Sequence, residues 1–255
     1  MIFVFILIYV GSIPPLGESY DGSYANFEIQ RDEMAEEYEY IVAILAKNEV
    51  DILLCETMSS FREASLSSQC AARFSKQDAR IWVSFTLEDT LPQQDSASPL
   101  ESLCILRSGE SLLTAASNLL QQHPPGSKLE AILVNCCAPE VITAAMAVFQ
   151  HVANSHPNHS ILYGGYANGF KMTTTEWLDL ENHANIPSLE NRTRRLVRRS
   201  DSSSTWYTPG IGIITPNAYA MYAMEWVQGG ARIIGGCCGT GPDHIAACSR
   251  LLTSQ

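Results

Sequence analysis

Apolar residues along this chain fall into short unbroken runs, separated by longer stretches in which they recur every three or four positions. The runs are FVFILIYV (3–10), DILLCET (51–57), RIWVSFTL (80–87), EAILVNCC (130–137), SILYGGY (160–166) and ARIIGGCC (231–238). A run without alternation suits a parallel strand covered on both faces. Gly11-Ser12 and Pro14-Pro15 are expected to end the first strand in a turn. Between the first two runs, Met34, Tyr38, Ile41 and Leu45 recur at helical spacing, which predicts a helix with one buried face. Its acids crowd the first turns and Lys47 the last, as the helix dipole favours. Residues 110–123 and 139–154 read as helices, the second with a proline at its start. Thr215 is a candidate cap for a helix that opens at Pro216 and stops at Gly229-Gly230, and GPDHIAACSRLL repeats the proline-started form.

Strand and helix alternate six times, which predicts an α/β fold with parallel strands. An open doubly wound sheet and a β/α barrel both satisfy the pattern. No G-x-G-x-x-G follows the first run, so dinucleotide binding has no support. In a barrel, functional residues gather at the carboxyl ends of strands. Glu56, Asn135, Cys136, Cys137, Cys237 and Cys238 all stand at such run ends. The chain, 1–255, reads as a single domain with an irregular excursion at about 171–210, where no period is visible.

Composition narrows the partners. A net charge of −11 over 255 residues argues against nucleic acid, whose phosphates need a basic surface. The basic run at 192–199 reads as a solvated loop. The apolar amino terminus lacks a basic leader and a small-x-small cleavage site, and it is shorter than the roughly 20 residues a membrane helix needs. Neither a membrane span nor a targeting segment is therefore expected. Eight cysteines raise the question of a disulfide-bonded secreted domain. A chain with 46% hydrophobic residues has core enough to do without such staples, so a reduced, cytoplasmic setting is expected. Sequons at Asn158 and Asn191 then carry no weight. Cys55, Cys70, Cys104 and Cys248 read as small buried apolar residues.

Cys136 and Cys237 are far apart in sequence, yet strand ends of one barrel converge on one face. Three thiolates there would suit Zn²⁺, and three protein ligands leave a fourth position open, as catalytic zinc sites do. Such a site suits capture of a substrate thiol as thiolate. Buried structural cysteines account for NCC or GGCC taken singly.

IIGGCCGTGPDHI, together with LVNCC and the preceding DILLCET, resembles the homocysteine S-methyltransferase family, from about YVGSIPPLGESY to the end of the chain. The resemblance implies a (β/α)8 barrel of the triosephosphate isomerase type, with zinc held by Cys136, Cys237 and Cys238. It also implies that Glu56 binds the amino group of homocysteine. Asn135 is grouped with Glu56 as a substrate contact, and Cys137 has no ligand role. YGGYANGF resembles the family's substrate-side loop, with Tyr166 and Asn168 as further pocket candidates, although turn chemistry explains its glycines and asparagine equally well. The implied reaction is methyl transfer from an activated donor to the homocysteine thiol, giving methionine. The family's first two strands, with their Asp-Gly-Gly-type and Thr/Tyr-containing motifs, have no counterpart here. Six β/α units of eight are therefore expected, in an amino-terminally truncated barrel, with a homo-oligomer as one way to cover its edges. The alternative is a non-catalytic zinc- or thiol-binding remnant of the family.

Overall fold

Every one of the six apolar runs contributes a strand, and all pair in parallel in the order in which they occur. The computed structural model describes residues 8–17, 19, 31–76, 78–89, 99–170, 206–208 and 212–253. The basic run and nearly all of the 171–210 excursion lie outside them. Strands β1 (Val10–Ile13), β2 (Ile52–Met58), β3 (Arg80–Thr86), β4 (Leu129–Asn135), β5 (Leu162–Tyr166) and β6 (Ile233–Ile234) alternate with helices α1 (Arg31–Lys47), α2 (Phe61–Phe74), α3 (Leu112–Gln122), α4 (Pro139–Ser155), α5 (Pro216–Gln228) and α6 (Pro242–Thr253). No helix among the described residues is long and apolar enough to cross a membrane.

Strictly sequential order separates the two sheet architectures that the pattern allowed. A doubly wound sheet reverses direction partway, whereas a barrel adds each strand beside the last. The sheet also curls. Tyr166 on β5 donates a hydrogen bond to Glu56 on β2 at 2.9 Å. Three inter-strand spacings on a flat sheet would hold those strands about 14 Å apart, with side chains standing perpendicular to the sheet and not reaching toward each other. The arc does not close: among the described residues β1 and β6 each have one neighbour.

Side chains alternate between the faces with the period of two that a strand imposes. Leu53, Cys55, Ile81, Val83, Phe85, Ile132 and Val134 point outward into the core shared with the helices. Leu54, Ala131 and Leu133 form a second cluster on the concave face, joined by Trp82, Leu162, Tyr166 and Ile233. Gly164 is required by close approach, since a Cβ there would collide with the Ile233 carbonyl oxygen.

One sequence expectation needs correction. The first strand runs over Val10–Ile13, so Gly11 and Ser12 lie within it and do not end it. Pairing with β2 fixes this register, Ile13 lying beside Cys55, while Leu45 and Val50 press on Gly11 from outside. Residues 3–7 of the expected strand lie outside the described residues. Gly164 and Gly165 lie within β5, as the run SILYGGY predicts, so turn chemistry does not account for them. Helix α2 carried no expectation, because its buried face is built of Ala64, Ser65, Ser67, Ser68, Cys70 and Ala71. Its serines are satisfied locally, Ser67 by the Ala64 carbonyl and Ser68 by the Ser65 carbonyl, so a polar sequence packs as a core helix.

Candidate metal centre

Strand β4 ends at Asn135, and the next residue, Cys136, takes a φ of +52°. A non-glycine residue in the left-handed region costs roughly 1–3 kcal/mol and persists only where its surroundings over-determine it. Here they do so on both sides. Asn135, fully buried, accepts a hydrogen bond from Ser84 Oγ at 2.6 Å and donates one to Thr57 Oγ1 at 2.7 Å. That side chain thereby ties the ends of β2, β3 and β4. Thr57 is itself left-handed, with φ of +59°. On the other side, the Ala138 amide donates to Asp89 Oδ1 at 2.8 Å.

The second cysteine motif follows β6. The Cys237 amide donates to the Ala167 carbonyl at 2.9 Å, and Gly169 donates to the Cys238 carbonyl at 2.7 Å. Thr240 closes the turn onto the Cys237 carbonyl through both its amide and its hydroxyl. Gly239, with φ of +77°, makes that turn possible. Tyr219 donates its hydroxyl to the Gly235 carbonyl at 2.8 Å and fixes the approach to the turn.

These two loops bring Cys136, Cys237 and Cys238 together, their sulfurs all within 4.8 Å of one another. The Cys136 and Cys237 sulfurs are 2.8 Å apart, and those of Cys237 and Cys238 are 4.0 Å apart. Three thiolates around a tetrahedral zinc at about 2.3 Å would have edges of about 3.8 Å, so the cluster has the size of such a donor set. None of the eight cysteines is in a disulfide. The Cys237 thiol is pushed well up, first by its hydrogen bond with Cys136 and then by burial. Burial, then the charge of Cys136, raises Cys238. Clustered thiols resist ionising together, and a bound cation is what relieves that repulsion. The donor set therefore fits a soft divalent ion. Cys136 is buried and Cys238 exposed, so one side of the cluster meets solvent.

The expected amine ligand lies on the same rim. Glu56 accepts Ser12 Oγ at 2.6 Å and Tyr166 Oη at 2.9 Å, one on each carboxylate oxygen. Burial, then the Glu56 charge, pushes the Tyr166 phenol well above its ordinary value, so it stays a donor. Asn168 lies in the loop after β5, its amide donating to the Cys137 carbonyl at 3.0 Å. The Oδ1 of its side chain has no hydrogen-bond partner among the described residues. Cys137 is fully buried and its thiol raised by burial, with the Asp89 charge next, so it is no candidate ligand. Cys55, Cys70, Cys104 and Cys248 are buried, as expected, and the Cys55 and Cys104 thiols are pushed up to about 12 by burial.

Sequence reasoning missed Ser12, Ser84, Thr57 and Asp89. Only Ser12 and Thr57, flanking recognisable motifs, offered a signal. The others are ordinary residues until the fold brings them together.

The sequence model of the homocysteine S-methyltransferase family matches residues 4–252. A homocysteine S-methyltransferase of Escherichia coli (strain K12) is 26% identical over 197 residues, covering 77% of this chain and 46% of the relative. A betaine-homocysteine S-methyltransferase of Drosophila melanogaster is 22% identical over 247 residues, covering 93% of this chain and 60% of the relative. The chain thus spans about half the length of the curated relatives it matches. Among solved structures, the metallated form of the Escherichia coli homocysteine methyltransferase MmuM superposes with a TM-score of 0.59 at 24% identity, over 96% of this chain and 61% of that one. That likeness concerns the fold.

Proposed function

The chain belongs to the homocysteine S-methyltransferase family, and on that premise we propose that it holds one zinc ion through Cys136, Cys237 and Cys238 and transfers a methyl group from an activated donor to the thiol of homocysteine, giving methionine. The observation that carries this is the convergence of three thiols from two strand ends on the rim that also bears Glu56. When bound, the ion supplies Lewis acidity that favours the thiolate form of an incoming thiol at neutral pH. Glu56 receives the substrate's ammonium group. Ser12 and Tyr166 hold both of its oxygens in advance, so little rotamer freedom is lost on binding. Asn135, the second substrate contact, is held in place by the strand ends it joins, and its amide keeps one N–H and one lone pair beyond those two bonds. Asn168 offers an acceptor to the polar end of the substrate.

The test is metal content followed by turnover. Freshly purified chain is expected to carry one zinc, to lose it on Cys136→Ser, Cys237→Ser or Cys238→Ser, and to keep it on Cys70→Ser or Cys137→Ser. Zinc retained in any of the first three variants contradicts the ligand set. A methionine-formation assay with homocysteine and a panel of methyl donors then tests the reaction. A second reading, metal binding without turnover, is favoured by the open arc, whose concave strand residue Val10 is 47% exposed. Zinc at full occupancy with no methionine from any donor would select it.

A further inference from the structure

A buried ion pair stands behind the first cysteine motif, outside every group so far assigned a part in binding. Arg107 Nη2 meets Asp89 Oδ2 at 3.1 Å, and both side chains are 2% exposed. Arg107 Nη1 also reaches Glu88 Oε2 at 3.3 Å. Asp89 follows β3, and Arg107 lies between the short 3-10 turn Leu100–Ser102 and α3. The other Asp89 oxygen, Oδ1, accepts the Ala138 amide. Ala138 is the N-cap of α4, its own side chain offers no cap, and it lies two residues beyond Cys136.

We propose that Asp89, oriented by Arg107, is the positioning residue that sets the metal-binding geometry of Cys136. The chain from Asn135 to Ala138 is clamped at both ends, by the Ser84–Asn135–Thr57 bridge before Cys136 and by Asp89 after it. Between the clamps Cys136 is held at φ of +52°, a conformation it would leave if either end were released. Release would swing its sulfur away from Cys237, now 2.8 Å distant. The negative charge of Asp89 also suits the amino-terminal end of α4. Arg107 prevents the carboxylate from turning away, because it fixes the oxygen that Ala138 does not use. Buried partners of this kind, one shell behind the ligands, typically change metal affinity 10–100-fold when removed.

The inference rests on the three-cysteine metal site, and its test separates the two. The unaltered 255-residue chain, Asp89→Ala, Asp89→Asn and Leu119→Ala are titrated with Zn²⁺ against a chromophoric chelator, and their Co²⁺ forms are compared by the thiolate charge-transfer and ligand-field bands. Leu119 is a fully buried α3 core residue, so its truncation reports what loss of stability alone does to the metal site. Asp89→Ala is expected to bind zinc about 10–100-fold more weakly, with altered Co²⁺ bands. Asp89→Asn keeps an acceptor for the Ala138 amide and is expected to retain most of the affinity, which also covers the case in which Asp89→Ala does not fold. Leu119→Ala is expected to melt earlier with affinity and bands unchanged. Wild-type affinity in Asp89→Ala, equal losses in Asp89→Asn and Asp89→Ala, or an equal loss in Leu119→Ala would overturn the proposal and leave the metal site standing. A wild-type chain that binds neither ion would overturn both.

Discussion

Replacing Asn135 with Ala removes the side chain that ties three strand ends together. Two hydroxyls lose their hydrogen bond to it. Ser84 is fully buried, but the Tyr166 hydroxyl is also within its reach, so the loss there costs about 1–2 kcal/mol. Thr57 is partly exposed, and water can replace the lost bond, so its share is nearer about 0.5–1.5 kcal/mol. The sum, about 1.5–3.5 kcal/mol, is a large fraction of the roughly 5–15 kcal/mol that holds a domain folded. Urea unfolding of chelator-treated protein measures it. With a slope of about 2–3 kcal/mol per molar, the midpoint should fall by about 1 M. A companion variant sharpens the test. Asn135→Leu with Ser84→Ala removes both donor and acceptor at the buried contact and should recover part of the loss, because two apolar groups leave nothing unsatisfied there. A loss below about 0.5 kcal/mol in Asn135→Ala would refute the bridge as a structural device. So would a double variant less stable than the single one.

Glu56→Gln should keep zinc and weaken homocysteine binding by about 1.5–3 kcal/mol, or about 10–150-fold, read by calorimetric titration; an unchanged affinity removes Glu56 from the site. His123 is buried against Ser68, and burial lowers its folded pKa below 6.5. The unfolded chain therefore binds a proton first, so this contribution to stability is present above pH 6.5 and lost as pH falls through the window between the two values. His123→Gln should flatten urea midpoints across that window, and an equal slope in both proteins would exclude His123 as the cause. Strands β1 and β6 leave their outer edges unpaired among the described residues, and Ile8, Tyr9 and Val10 are exposed at the β1 end. Such edges recruit other chains, so light scattering after size exclusion should show concentration-dependent association; a monodisperse monomer at all concentrations would contradict it.

The hydrophobic pattern by itself determined the class of fold. Unbroken apolar runs alternating with helical periods suit parallel strands crossed by helices, and four of the six runs overlap their strands closely. The thiol motifs were also legible, because cysteine pairs at the carboxyl ends of strands are unusual enough to stand out, whereas Glu56 was singled out as a substrate contact only by the resemblance to a known family. Other features were decided only in three dimensions. The register of β1 follows from what Ile13 packs against, a partner more than thirty residues away in sequence. Helix α2 announced itself only through Ser60 and Glu63, a cap signature whose acid turns instead to Tyr38 and to the Leu16 amide. Asn135 carries a motif position, yet whether its amide meets a substrate or its neighbours depends on Ser84 and Thr57 arriving beside it. Asp89 and Arg107 have no local signature at all. Periodicity reports which face of an element is buried, since burial repeats with the backbone. Polar partnership depends on single contacts between distant strands, and only the tertiary structure assigns those.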